Sequence, residues 1–142
     1  MTEVKFYEAA DDRLLKFAVI IAKANNQFVF CRHRERNTYE IPGGHRETGE
    51  TILETAQREL YEETGAMAYT LRPVCVYSVT APENFEGKET FGMLYCADIQ
   101  FFEGELHSEI EEIVLLDQPV CLWTYPLIQP KLIEEAGRRG FL

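Results

Sequence analysis

The sequence predicts an α/β fold, an α/β/α sandwich whose central layer is a mixed β-sheet. Apolar stretches of strand length recur along the chain, and two segments with helical spacing of apolar residues lie among them. Strands interspersed with helices pack as a sheet that is covered on both faces. The 142 residues contain no internal repeat or flexible linker, so we expect a single domain over residues 1–142.

The first two strands should form a β-hairpin. Lys16 to Ala24 is a nearly continuous apolar run rich in valine and isoleucine, which is typical of a strand buried on both faces. Asn25-Asn26 is a turn signal, and Gln27 to His33 then alternates apolar and other side chains. The hairpin leads into a short segment that Pro42 should end.

The later elements follow from the same patterns. Strands are predicted over Ala68 to Val79, Thr90 to Phe102 and Ile113 to Leu116, and a second helix is predicted from Pro126 to Gly137. Within these elements, Pro73 suggests a sheet edge or a bulge, and Pro130 suits the first turn of the helix. An acidic segment from His107 to Glu112 should precede the last strand.

The first helix has unusually clear end signals. Thr51 followed by Glu54 is a capping-box pattern, which places the start of the helix just after Glu50. Gly65 is suited to the left-handed conformation that often follows a helix. The apolar stripe that should face the sheet consists of Ile52, Leu53, Ala56 and Leu60.

Three carboxylates on this helix share one side. Glu59, Glu62 and Glu63 are spaced i, i+3 and i+4, and helical geometry places Glu63 inside the edge of the apolar stripe with Glu59 beside it. One interpretation is an acidic surface with salt bridges to nearby basic residues. The other is a metal site, because a carboxylate that loses water needs a compensating charge. Oxygen-only ligands favour a hard cation, Mg²⁺ or Mn²⁺, over zinc.

A longer motif surrounds these carboxylates. It consists of Gly44, Glu50 and the segment RELYEETGA over residues 58–66, with five residues between Gly44 and Glu50 and seven between Glu50 and Arg58. Together these residues fill every fixed position of a known signature. The segment therefore resembles the complete signature of the Nudix hydrolases. The resemblance implies a Nudix-type sandwich and divalent-metal-dependent hydrolysis of a pyrophosphate linkage. It makes Mg²⁺ or Mn²⁺ the expected cofactor.

The resemblance also implies roles for individual residues. Glu59 and Glu63 are the firmest expected metal ligands, Glu62 is a further ligand, and a carbonyl, most naturally that of Gly43, completes the shell. The catalytic base varies among similar proteins. The candidates here are Glu62 and Glu109, the latter with an equally good interpretation as a solubilising charge. Arg58 is expected to orient a neighbouring glutamate and Glu50 to brace the loop.

A basic cluster lies at the exit of the hairpin. Arg32, His33, Arg34 and Arg36 follow one another within five residues of an otherwise acidic chain. They could form a phosphate clamp, since guanidinium groups bind phosphate in a bidentate manner, or a solvated loop that balances the acidic helix. Tyr39 is one of several aromatic residues that could stack on a base, although most of them should belong to the core.

Composition limits the partners. A formal net charge of −10 argues against nonspecific binding to nucleic acid or to an anionic membrane. The first fourteen residues lack the pattern of a signal peptide, and the four widely spaced cysteines suggest buried reduced thiols rather than disulfides or a zinc site. We therefore expect a cytoplasmic protein that acts on a small-molecule nucleotide.

The substrate is less defined by the sequence. Chain length and the segment RHRERNTYEIPGG are similar to the MutT-like pyrophosphohydrolases, which act on nucleoside triphosphates, some of them oxidised. Pro82 lies near where ADP-ribose-cleaving members carry a proline, so nucleotide sugars are the alternative substrates. A noncatalytic nucleotide-binding regulator and an acidic structural or Ca²⁺-binding module are the alternative functions. A homodimer is usual among similar proteins.

Overall fold

The protein is described by a computed structural model over residues 1–82, 85–104 and 110–142. The strands are β1 (Glu3–Tyr7), β2 (Leu15–Ala24), β3 (Gln27–His33), β4 (Gly43–His45), β5 (Ala66–Thr80), β6 (Thr90–Phe102) and β7 (Ile110–Leu116). The helices are α1 (Ile52–Thr64) and α2 (Gln129–Arg138), and two short 3-10 turns cover Asp12–Leu14 and Phe85–Gly87.

All seven strands belong to one mixed sheet with the order β1-β5-β6-β2-β3-β7. β2 and β6 run parallel, and the other pairs are antiparallel. On its other side, β2 is shared by two partners: Phe17–Val19 pair with β4, and Ala22–Ala24 pair with β3. β2 is therefore the centre of the sheet, which explains its nearly continuous apolar sequence.

Alternate residues of β2 face two separate cores. Ala18 and Ile20 pack with Ala56 and Leu60 of α1 on one face of the sheet. On the other face, Val19 and Ile21 belong to a core with Leu132 and Ala136 of α2. Because one helix covers each face, the predicted α/β/α sandwich with a central mixed sheet is confirmed.

The predicted hairpin and the proline bulge are both present. Asn25 and Asn26 have φ angles of 52° and 64°, the left-handed conformation of the tight turns that match strand twist. The register of β5 against β6 shifts between Pro73 and Cys75, and β1 begins to pair with β5 only from Val76. Pro73 thus lies at a bulge, beyond the part of β5 that β1 covers.

Several predicted boundaries were wrong. The segment before Pro42 forms only isolated bridges, Cys31 with Glu40 and Tyr39 with Trp123, and the regular strand starts at Gly43. β7 includes Glu112, which the sequence placed in a preceding acidic loop. Helix α2 continues through Gly137 to Arg138, since packing of its apolar side outweighs the weak helix propensity of glycine.

Two features were not anticipated. The short edge strand β1 has no distinctive pattern, and its pairing with β5 comes from tertiary contacts that five residues do not reveal. The cysteines are free, but Cys121 is exposed whereas Cys31, Cys75 and Cys96 are buried, so the expectation of four buried thiols was wrong. In the described part of the chain, neither helix has the length and apolarity needed to cross a membrane.

Candidate active site

Helix α1 is fixed at both ends, and this sets which side chains face the sheet. Thr51 accepts from the Glu54 amide at 3.1 Å, and the Glu54 carboxylate accepts from the Thr51 amide at 2.9 Å. Gly65 ends the helix with φ 77°. The predicted capping box and C-terminal glycine are therefore confirmed, and they hold the three carboxylates in one rotational position.

Glu63 lies at the buried edge of α1, as its position beside the apolar stripe predicted. Only 7% of the residue is exposed, and Oε1 accepts from the Gly43 amide at 2.8 Å. Nε2 of His33 lies 3.3 Å from Oε2 of Glu63 and 3.4 Å from Oε2 of the buried Glu40. The hydrogen bond to Glu63 is the main cause that raises the pKa of His33. Glu63 thus joins α1 to both β3 and β4.

Glu59 occupies a space that glycine leaves open. A Cβ on Gly44 would overlap with the Glu59 carboxylate, and a Cβ on Gly43 would collide with the Ala18 carbonyl oxygen. Burial and then the charge of Glu63 raise the pKa of Glu59 to about 7, although Arg58 opposes the shift. This carboxylate is therefore held close to another negative charge without full neutralisation.

Arg58 connects the carboxylates of the loop and the helix. Its guanidinium donates to Glu50 at 2.6 Å, to Glu59 at 3.0 Å, to Glu62 at 3.2 Å and to the His45 carbonyl at 2.9 Å. Hydrogen bonds from Arg58 and the Glu47 amide lower the pKa of Glu50 to about 2. Arg58 therefore touches two helix carboxylates and Glu50 ties the loop to α1, while the catalytic role of Arg58 stays a prediction.

The two candidate bases differ in what the structure shows. The Glu62 side chain is 39% exposed, and its contact with Arg58 places it at the rim of the cluster. It is the least constrained of the three helix carboxylates. Glu109 lies outside the described residues, so its role stays a prediction.

The donor set suits a hard divalent cation. Carboxylates of Glu59, Glu62 and Glu63 lie on one side of α1, and the pKa of Glu59 is raised first by burial and then by the charge of Glu63. Over residues 1–82, 85–104 and 110–142, however, no three His, Cys, Asp or Glu side chains are arranged as a ready-made metal cage. Arg58 holds Glu59 and Glu62 instead, so these side chains must turn to bind an ion. Gly43 adjoins the cluster through its amide, and the role of its carbonyl stays a prediction.

The residues of the basic cluster pair with several different carboxylates. Arg32 donates to Glu112 at 2.9 Å, and the Tyr39 hydroxyl donates to the same oxygen at 2.7 Å. Arg36 donates to Glu40 at 2.8 Å. Arg34 is exposed and lies 3.9 Å from Glu111.

These contacts change the interpretation of the cluster. The carboxylates that balance it come from Glu40 and from β7, not from α1 as the sequence suggested. Only His33, which the sequence did not single out as a site residue, reaches the α1 carboxylates. Binding of phosphate by Arg32, Arg34 and Arg36 stays a prediction.

The sequence also gave no indication of a cavity on the opposite face of the sheet. It has a volume of about 390 Å³ and lies between the sheet and the start of α2. Its lining includes Val19, Glu40, Gly43, Gly44, Tyr77, Tyr125, Gln129 and Leu132. Residues far apart in the chain meet here, and apart from Gly43 and Gly44 no local motif marks them. Glu40, buried and beside His33, is likewise a site residue that no sequence pattern identified.

Comparison with known proteins places this arrangement in a family. The NUDIX domain family model matches residues 12–123. The chain is 34% identical over 90 residues to a Bacillus subtilis (strain 168) protein named "Putative 8-oxo-dGTP diphosphatase YtkD". The match covers 63% of this chain and 54% of that protein, so the chain spans about half the length of this curated relative.

Solved structures show the same fold. A crystal structure of a mutant of the Bacillus subtilis pyrophosphohydrolase BsRppH aligns with a TM-score of 0.79 at 23% identity, covering 99% of this chain and 92% of that one. The NUDIX domain of Shewanella oneidensis NrtR, complexed with ADP ribose, aligns with a TM-score of 0.66 at 15% identity, covering 88% and 87%. With the family match spanning most of its length, this chain belongs to the Nudix family.

Proposed function

We propose that the protein hydrolyses the pyrophosphate bond of nucleoside diphosphate-linked substrates with the help of Mg²⁺ or Mn²⁺. More narrowly, we propose a pyrophosphohydrolase of nucleoside triphosphates, including oxidised ones. The observation that carries the proposal is the pair Glu59 and Glu63, held together at the buried edge of α1 beside Gly43 and Gly44. Stability alone does not select such a pair, because the two charges repel each other where water is scarce.

Each residue has a part in this reaction. A divalent cation held by these carboxylates would supply charge neutralisation at the phosphates and would make the attacking water more acidic. Glu59 and Glu63 are the proposed ligands, and Glu62 joins them or accepts the proton of the attacking water. His33 and the Gly43 amide hold Glu63 in place, while Arg58 and Glu50 fix the loop that carries the glycines.

The arginines of the basic cluster are the proposed phosphate contacts. Arg34 is the most available of them, because its side chain is 60% exposed and its nearest carboxylate is 3.9 Å away. Arg32 and Arg36 each have a closer partner in Glu112 or Glu40 and must exchange that partner for phosphate. We assign Tyr39 to the same surface, because it shares Glu112 with Arg32.

The name of the Bacillus subtilis relative supports an oxidised nucleoside triphosphate as substrate. The complex of the NrtR domain with ADP ribose keeps ADP-ribose and nucleotide sugars as the second candidate class. Both substrate classes contain the diphosphate group on which the proposed metal site at Glu59 and Glu63 would act. A protein of this fold that binds nucleotides without cleaving them remains the noncatalytic alternative.

A substrate panel with product identification tests the proposal. The purified protein is incubated with dGTP, 8-oxo-dGTP, ADP-ribose and a nucleotide sugar, with Mg²⁺, Mn²⁺ or chelator, in water enriched in ¹⁸O. We expect metal-dependent release of pyrophosphate and a monophosphate from the triphosphates, and no cleavage with chelator. The position of the label identifies the phosphorus that water attacks. Binding without cleavage in every metal-containing sample would support the noncatalytic alternative instead.

We further propose that the protein acts in the cytoplasm as one domain, since its four cysteines are free thiols and the family match covers most of the chain. A homodimer stays a prediction, which the mass measured by light scattering after size-exclusion chromatography will check. A monomer mass would exclude it.

A further inference from the structure

Both carboxylate oxygens of Glu63 already have a neighbour. Oε1 accepts from the Gly43 amide at 2.8 Å, and Oε2 lies 3.3 Å from Nε2 of His33. A hydrogen bond donated to a carboxylate oxygen competes with a cation for the negative charge of that oxygen. Glu63 therefore accepts an ion more readily when the His33 N–H turns away from it.

His33 has a second acceptor at almost the same distance. Its Nε2 also lies 3.4 Å from Oε2 of Glu40. This nitrogen carries at most one hydrogen in either charge state of the imidazole, so it donates fully to only one carboxylate at a time. The side chain of His33 thus lies between two alternative arrangements, one directed at Glu63 and one at Glu40.

The other partner of Glu40 decides between the two arrangements. Arg36 donates to Oε1 of Glu40 at 2.8 Å, and the Thr124 hydroxyl also supports the charge of Glu40. The Glu40 side chain is 7% exposed, whereas that of Arg36 is 42% exposed and can turn toward solvent. A buried carboxylate that loses its arginine needs another donor, and the His33 N–H is the donor within reach.

The backbone around these side chains is fixed. The Arg36 amide donates to the His33 carbonyl at 3.1 Å, and backbone hydrogen bonds in both directions between Cys31 and Glu40 close the loop. A change of partner therefore requires rotation of side chains only.

We propose that Glu40 is a positioning residue that couples phosphate binding at Arg36 to ion binding at Glu63. When a substrate phosphate draws Arg36 away, Glu40 attracts the His33 N–H, and Oε2 of Glu63 becomes available to a divalent cation. Binding at either place then favours binding at the other, because such coupling is reciprocal. The inference rests on the proposed function, which makes Arg36 a phosphate contact and Glu63 a metal ligand.

The test imitates the departure of Arg36 without any phosphate. Mn²⁺ binding is measured by calorimetric titration in the absence of nucleotide. We expect Arg36→Met to lower the Kd for Mn²⁺ at least about fivefold, whereas damage to the site would raise it. Lys88→Met is the matched control, because it removes a 77% exposed positive charge from the cavity that Gly43 lines without touching Glu40. It should change the Kd less than about twofold.

A double-mutant cycle separates the coupling from a general effect of charge. Glu40→Gln removes the charge that attracts His33, and His33→Phe removes the N–H that moves. In either background, Arg36→Met should change the Kd for Mn²⁺ by less than about twofold, and one folded background is enough to complete the cycle. A fivefold drop that persists in these backgrounds, or no drop in Arg36→Met alone, would overturn the role of Glu40.

Kinetics provide a second measurement and separate this inference from the proposed function. With the nucleotide that the substrate panel shows to be cleaved fastest, Arg36→Met should raise KM and lower the Mn²⁺ concentration that gives half the maximal rate. A parallel rise of both values would contradict the coupling. Wild-type protein that binds Mn²⁺ no more tightly than Glu63→Gln would refute the proposed metal site and the coupling together. The expected cycle in Mn²⁺ binding, with no substrate cleaved, would refute only the proposed function.

Discussion

The two helices each carry a glutamate on the edge that faces the sheet, and the two glutamates lie in opposite electrostatic surroundings. On α2, Glu135 is 8% exposed, and its hydrogen bonds to Arg138 and then Arg139 lower its pKa to about 2 despite burial. On α1, burial and the neighbouring Glu63 raise the pKa of Glu59 to about 7, although Arg58 donates to it.

We propose that the difference separates a structural carboxylate, Glu135, from a functional one, Glu59. Glu135 has cations for its charge, so folding favours its ionised form. Glu59 has one shared cation and a close carboxylate, so the folded chain holds a charge that it does not fully stabilise. Strongly perturbed carboxylates of the second kind are typical of sites that bind an ion or move a proton. The contrast yields four predictions.

The largest expected effect is a loss of activity when the buried glutamate Glu63 of α1 is replaced, but not when Glu135 of α2 is replaced. Glu63→Gln should lower kcat by about a thousandfold or more, because it removes the charge of a proposed metal ligand while its remaining oxygen still accepts from the Gly43 amide. Glu135→Gln should retain kcat within about threefold, since Glu135 accepts from Arg138 and Arg139 on the face of the sheet opposite to α1. Steady-state hydrolysis under saturating Mn²⁺ measures both. Comparable losses in the two variants would remove the distinction drawn between the helices.

A smaller loss should follow from filling the space that Glu59 uses. Gly44→Ala puts a methyl group where the Glu59 carboxylate lies, and displacement of this proposed metal ligand should reduce kcat/KM by about ten- to a hundredfold. Gly137→Ala is the matched control, because a Cβ there meets nothing and alanine is the better helix former. It should keep full activity and raise the melting temperature slightly. Full activity of Gly44→Ala would show that the Glu59 position is not critical.

The third prediction concerns stability and its pH dependence on α2. Glu135→Gln should reduce the free energy of unfolding by about 1–2 kcal/mol at pH 7. The pKa of Glu135 is lowered from 4.5 to about 2, so its contribution is complete above about pH 4.5 and is lost as the pH falls toward 2. Denaturant titrations of both proteins at pH 7 and pH 3 measure the difference. A deficit that stays constant between these pH values would assign it to packing rather than to charge.

The smallest expected effect is a gain in stability rather than a loss. In the presence of chelator, Glu59→Gln should increase the free energy of unfolding by about 1 kcal/mol, because it relieves repulsion from Glu63 and the cost of burying a charge. Glu134→Gln, exposed on α2, should change it little. Thermal melts with chelator and then with Mn²⁺ measure both effects. Destabilisation of the chelator-treated Glu59→Gln variant would mean that the contact with Arg58 outweighs the repulsion.

The sequence predicted the elements that short-range patterns determine. Helix α1, its cap at Thr51 and the buried position of Glu63 follow from capping chemistry and helical periodicity, and the hairpin follows from the Asn25-Asn26 turn. The strand over Thr90–Phe102 agreed to the residue. These features need no knowledge of distant parts of the chain.

The remainder depends on residues that meet only after folding. The bond between Gln129 and Ile41 joins positions 88 residues apart, and the cavity that they share has no local signature. The pairing of Arg32 with Glu112 likewise depends on the β3–β7 register. Sequence patterns identified the basic residues, but not which carboxylate each would meet, because the choice is made by tertiary packing.

The parallel pairing of β2 with β6 has a consequence for synthesis of the protein. β2 ends at Ala24 and its partner begins at Thr90, so a nascent chain still lacking that partner exposes the apolar centre of the sheet. Pairing between strands that are far apart in the chain is slow, and an isolated helix of 13 residues such as α1 is only marginally stable in water, so neither covers β2 quickly. During this interval the apolar surface of β2 stays uncovered, and transiently exposed surface of this kind is what makes incomplete chains aggregate and require chaperones.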